Sequence, residues 1–200
     1  MAGNLAAMPA RDPHEQDRFS FSGVRLAGEG FVLRAWRADD LDALLRHADD
    51  AAVARGLSDR FPHPYTRQDG ERFLAGDVVD LRDPVFAIEV EGEACGGIGA
   101  RIGAGERAHV AELGYWLGQR HWGRGLMTRV VACYAPWLLS MPSLQRVQAT
   151  VLAGNPASAR VLLRNGFSEE GLLRAAVRKP GGLHDLRLFA RLAPMGDTPG

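Results

Sequence analysis

The segment from His109 to Leu139 places the strongest constraint on what this chain can fold into. His109 to Leu117 reads as a strand, and the apolar run that opens at Leu126 reads as a helix reaching about Ser140. Between them lies Arg120-His121-Trp122-Gly123-Arg124-Gly125. A strand that turns into a helix through so short a loop requires a sheet with a helix packed on its face. The two glycines let the backbone bend with its N–H groups converging outward, at the positive end of a helix dipole, where an anion such as phosphate is favoured. Arg120 and Arg124 add positive charge. A lone G-x-G also fits a plain tight turn. No Gly-Lys-Ser/Thr follows, which excludes a Walker loop, and Thr128 stands where a dinucleotide fingerprint needs its third glycine.

The rest of the chain alternates in the same way. Phe31 to Trp36 is a strand, and Asp39 or Asp40 opens a helix whose apolar face is Leu41, Leu44, Leu45 and Ala48. The prolines of Phe61-Pro62-His63-Pro64-Tyr65 forbid regular structure. Thr66 and Asp69 form a capping box for a helix that uses Phe73, Leu74, Val78 and Leu81. Val85–Val90 and Cys95–Ile102 make a hairpin around Glu91-Gly92-Glu93-Ala94, and Arg146–Leu152 is a further strand. Asn155 caps a helix that Gly166 ends, and strands near 172–178 and 185–192 flank Pro180-Gly181-Gly182. The predicted order is β-α-α-β-β-β-α-β-α-β-β, a mixed α/β layer structure. One domain over 23–193 is expected, with flexible segments at 1–22 and 194–200.

Charge and cysteine content narrow the partners. Lys+Arg and Asp+Glu number 24 each, which argues against nucleic acid or an anionic membrane surface as a partner. Cys95 and Cys133 are too few for a disulfide scaffold and read as small buried hydrophobes. The histidines show no metal-ligand spacing, so no metal is expected. No segment reads as a secretion signal or a membrane span, and a cytoplasmic location is expected.

Arg120-x-x-Gly123-x-Gly125 after a strand resembles the acyl-coenzyme A pyrophosphate motif of the GNAT N-acetyltransferase superfamily. Asn155-x-x-Ser158 with Arg164-Asn165-Gly166-Phe167 is similar to the next block of its RimJ/RimL-like branch, as are Phe61–Thr66 and Gly182-Leu183-His184-Asp185. The resemblance covers about residues 24–192. It implies a GNAT fold, a mixed and mostly antiparallel sheet splayed at its centre and flanked by helices. It also implies acetyl-coenzyme A as co-substrate, without a metal, and a primary amine as acceptor, either a protein N-terminus or a small molecule. Tyr115, Trp116, Leu117, His121, Trp122, Leu126 and Met127 would hold the coenzyme together with the motif residues Arg120, Gly123, Arg124, Gly125, Asn155, Ser158 and Arg164. The resemblance leaves a homodimer open.

Direct transfer needs a neutral amine, a polarised thioester carbonyl and a proton for the thiolate. Glu112, a carboxylate in an otherwise apolar strand, is the candidate base, and satisfaction by a neighbouring arginine is its plain structural alternative. Many GNAT enzymes carry a tyrosine four residues before the glycine of the Gly-Phe pair to protonate the thiolate. This chain has Leu162 there, and Ser158 is the candidate replacement. Gly114 is expected to distort its strand and free an N–H for the thioester oxygen. Asp39, Asp40, Asp49, Asp50 and Asp59 lie near the expected acceptor side, where they could attract a cationic amine, and solvated helix-face carboxylates explain them equally well. The competing reading is a non-catalytic acyl-coenzyme A sensor with the same pocket.

Overall fold

A computed structural model describes residues 21–194. The end segments expected to be flexible lie outside the described residues except at their inner edges. There Phe21 is buried and its ring meets Trp137 edge-on at 5.8 Å, so packing begins at least two residues earlier than 23.

Among the described residues eight strands form one sheet: β1 (Arg25–Gly28), β2 (Phe31–Ala35), β3 (Val85–Val90), β4 (Glu93–Ile102), β5 (Val110–Leu117), β6 (Arg146–Leu152), β7 (Ser168–Lys179) and β8 (Gly182–Leu192). Their spatial order is β1-β2-β3-β4-β5-β6-β8-β7, and only the β5–β6 pair is parallel. Five α-helices among the described residues flank the sheet: α1 (Leu41–Ala48), α2 (Ala51–Arg55), α3 (Arg67–Leu74), α4 (Leu126–Leu139) and α5 (Pro156–Arg164). The expected α/β splayed-sheet class holds, with one strand and one helix more than the sequence order gave.

Local chemistry accounts for the differences. β1 has no strong alternation of its own and is held by pairing with β2 across a turn at Gly30, which has positive φ. The first helix breaks at Asp49 and Asp50, because the Asp50 carboxylate accepts from the N–H groups of Ala52 and Val53 and starts α2. The capping box of Thr66 and Asp69 is present, but α3 stops at Leu74, ahead of Gly76 at φ +86°, so Val78 and Leu81 fall outside it. Hairpin β3–β4 turns through Glu91 and Gly92, both at positive φ as a tight two-residue turn requires. α4 runs on as one helix through Pro136.

α1 packs on β4, α4 against β1 and β6, and α5 against β7. The larger core lies between the sheet and α4 and α5, around Phe86, Tyr134, Leu138, Leu162 and Phe189. A smaller one gathers Leu44, Ala48 and Tyr65 with Trp36, Phe73 and Trp116 on the other face. Among the described residues no helix is long and apolar enough to cross a membrane.

Candidate active site

The site is set by where β5 and β6 stop pairing. They pair at Val110–Arg146, Ala111–Val147 and Glu112–Gln148, after which β5 continues beside β4 and β6 beside β8. Beyond Glu112 the sheet is therefore parted, and the edge of β5 that faces β6 has no strand partner. Gly114 sits in unbroken register opposite Gly99, so the expected distortion at Gly114 is absent from the β4–β5 ladder. The parting itself, not a bulge, supplies the unpaired backbone.

A groove of about 430 Å³ opens on one side of the parting. It is lined by every residue expected at the coenzyme except Arg120 and Arg124, which stand outside it. Arg120 lies 3.9 Å from Glu93. Gly123 and Gly125 have φ of +75° and +71°, a left-handed backbone that a β-branched residue resists. The bond from Arg129 N–H to the Gly125 carbonyl opens the ladder of α4, so the N–H groups of its first turn point out of the helix end. The Trp122 indole donates to the Leu117 carbonyl at 2.7 Å and ties the loop to the end of β5. His121 is kept neutral by burial and by the neighbouring Arg120 and Arg124, which lower its pKa.

A second cavity, about 320 Å³, lies on the other side and includes Glu112 in its wall. The two cavities share Gly56, Leu57, Tyr115, Trp116, Asn155 and Ser158. At this junction the Asn155 side-chain oxygen accepts from Ser158 N–H at 3.1 Å, as an N-cap should. The Ser158 hydroxyl lies 2.9 Å from that of Tyr115. Burial pushes the Tyr115 phenol up to about 12, so it stays protonated at neutral pH. Glu112 accepts a hydrogen bond from Arg101 Nη2 at 2.6 Å, and the two residues are cross-strand partners in β4 and β5. The carboxylate thus faces the cavity and is also held by an arginine.

Residues 31–168 match the family described as "Acetyltransferase (GNAT) domain". The chain belongs to the GNAT acetyltransferase family. As a family member it is an enzyme that transfers acetyl groups. It is 28% identical over 171 residues to the uncharacterized N-acetyltransferase p20 of Bacillus licheniformis, covering 82% of this chain and 93% of that one. It is 34% identical over 83 residues to the ribosomal-protein-serine acetyltransferase of Escherichia coli, covering 42% of this chain and 46% of the relative. Its fold matches that of RimL, a ribosomal L7/L12 α-N-protein acetyltransferase solved with coenzyme A. The TM-score is 0.77 at 20% identity, over 86% of this chain and all of that one.

Three features of this GNAT site escape a sequence reading. Arg101 becomes the partner of Glu112 only once the β4–β5 register is known. The Tyr115 hydroxyl meets Ser158 across 43 positions of sequence. Lys179, at the end of β7, reaches the Leu57 carbonyl at 2.5 Å and Asp59 at 2.8 Å, pinning the loop that lines both cavities. No local pattern announces any of them.

Proposed function

We propose that this GNAT enzyme transfers acetyl from acetyl-coenzyme A to a primary amine by direct attack, with donor and acceptor bound together. The observation that carries the reading is the junction: a groove headed by a glycine loop and a separate cavity share Tyr115, Trp116, Asn155 and Ser158 at the parting of the sheet. The pyrophosphate would rest on the N–H groups between Trp122 and Met127, with Arg120, Arg124 and Arg164 supplying positive charge around it. Asn155 would steady the pantetheine arm, and an N–H of the unpaired β5 edge would receive the thioester oxygen.

The acceptor nitrogen attacks the thioester carbon, the C–S bond breaks, and the sulfur leaves as thiolate. Glu112 takes the proton from the attacking nitrogen, directly or through water, and Ser158 hydrogen-bonds the thiolate until it is protonated. Placement of Glu112 in the acceptor cavity supports the first role, and placement of Ser158 at the junction supports the second. A sensor needs only the donor groove. The adjoining cavity favours the enzyme.

No metal is assigned a part, and a cytoplasmic location accords with bacterial relatives named for ribosomal proteins. The test is free-thiol release from acetyl-coenzyme A with an amine panel, alongside mass detection of the product. One acetylated amine per thiol supports the reading; thiol release by water alone, or coenzyme binding without transfer, would remove it.

A further inference from the structure

The cavity on the Glu112 side has a wall chemistry that narrows the acceptor. Phe61 lies 5.0 Å from Tyr65 and 5.2 Å from Trp116, ring centre to ring centre. Trp36 stacks on Trp116 at 6.5 Å and meets Phe73 edge-on at 5.1 Å. Gly97 makes this possible, since a Cβ there would sit 2.8 Å from the Trp116 indole nitrogen and 3.2 Å from the Trp36 ring. At about 320 Å³ the space is at the small end of the roughly 300–1,000 Å³ of ligand pockets. It suits one compact molecule.

The carboxylates near this side are already engaged. Asp40 is held by Arg34 through two bonds of 2.7 Å. Asp49 accepts from Tyr65 N–H, and Asp50 caps α2. Asp59 pairs with Lys179, Asp80 with Arg82 and Glu112 with Arg101, while Asp83, also in the wall, is itself buried. The aspartates that looked from sequence like an attraction for a cationic acceptor are thus spent on the fold, apart from Asp39. A second ammonium on the acceptor would be stripped of water among aromatic rings, where most of the nearby carboxylates already hold other partners.

We propose that the acceptor is a compact monoamine on an apolar, ring-bearing body, an arylalkylamine in chemical class. The inference rests on the acetyltransferase reading above. The ring packs among Phe61, Phe73, Trp36 and Trp116 and the nitrogen points to the junction at Ser158. Aromatic faces attract the ammonium on approach. Desolvation in the same apolar space then lowers its pKa and favours the neutral nucleophile that attack requires.

The test uses the full chain with acetyl-coenzyme A and four acceptors: 2-phenylethylamine, spermidine, an aminoglycoside and a peptide with N-terminal serine. Expected is a kcat/KM for 2-phenylethylamine at least about 100-fold above each of the others. Phe61→Ala and Phe73→Ala should each raise the KM for this amine about tenfold or more, with calorimetric affinity for acetyl-coenzyme A unchanged as the check on folding. A preference for spermidine, the aminoglycoside or the peptide overturns the proposal and leaves the acetyltransferase reading standing. So does unchanged KM in both folded variants, or no turnover of 2-phenylethylamine by protein that binds acetyl-coenzyme A. Failure to bind acetyl-coenzyme A at all removes both.

Discussion

The Tyr115 hydroxyl lies 2.9 Å from Ser158 Oγ and 3.2 Å from the Ser158 carbonyl oxygen. Tyr115 has one proton for two acceptors. While it donates to the carbonyl, the serine proton can be drawn to the phenol oxygen. Once it donates to Oγ, the serine proton is free to point into the junction between the two cavities. If Ser158 serves the thiolate as proposed, Tyr115 is its positioning residue, reaching it from β5 where α5 carries Leu162.

Ser158→Ala should lower kcat about tenfold, since water partly replaces one neutral hydrogen bond. Tyr115→Phe should lower it about three- to tenfold with little change in KM for acetyl-coenzyme A. The double variant should be no slower than Ser158→Ala, because both changes act through one hydroxyl. A thioester with a more acidic leaving thiol should narrow each deficit. Steady-state kinetics with two thioesters checks this, and additive losses would separate the two residues.

Gly125→Val should weaken acetyl-coenzyme A binding while the protein remains folded. The position has φ +71°, where a β-branched side chain is strained by about 1–3 kcal/mol, and the loop N–H groups would turn away from the phosphate. Calorimetry on protein of unchanged circular dichroism measures it. Retained affinity would contradict the phosphate cradle.

Stability should fall as pH drops below about 6.5. Burial holds the His47 imidazole below its ordinary pKa, against the pull of Glu93, whose carboxylate is 2.7 Å away. Between the lowered value and about 6.5 the unfolded chain binds more protons than the native one, so stability is full above that window and lost on acidification. His121, also lowered, adds in the same direction. The melting temperature should drop from pH 7.5 to pH 5.5, and His47→Gln should flatten part of that drop.

Much of this architecture is legible in sequence where local chemistry decides it. Asn155 caps α5, Thr66 and Asp69 box α3, and Arg146–Leu152 is β6 to the residue, because caps and alternation act over a few positions. β1 leaves no sequence signal because its pairing with β2, not its own pattern, makes it a strand. Val78 and Leu81 keep helical spacing past Leu74, but Gly76 at φ +86° ends α3 ahead of them. Within the candidate site, the Gly123–Gly125 loop is legible from its glycines. The hold of Arg101 on Glu112, the Tyr115–Ser158 contact and the Lys179 clasp are not, since each depends on register or long-range packing.

In the proposed mechanism Glu112, at the vertex of the parted sheet, takes the proton of the attacking amine. The pH dependence of kcat for Glu112→Gln against the wild type, with saturating acceptor, tests it most directly. The variant should lose about 10²-fold or more at neutral pH, and the deficit should shrink as pH rises and the amine deprotonates unaided. Near wild-type kcat across pH 6–9 would contradict the assignment and leave Glu112 as the structural partner of Arg101.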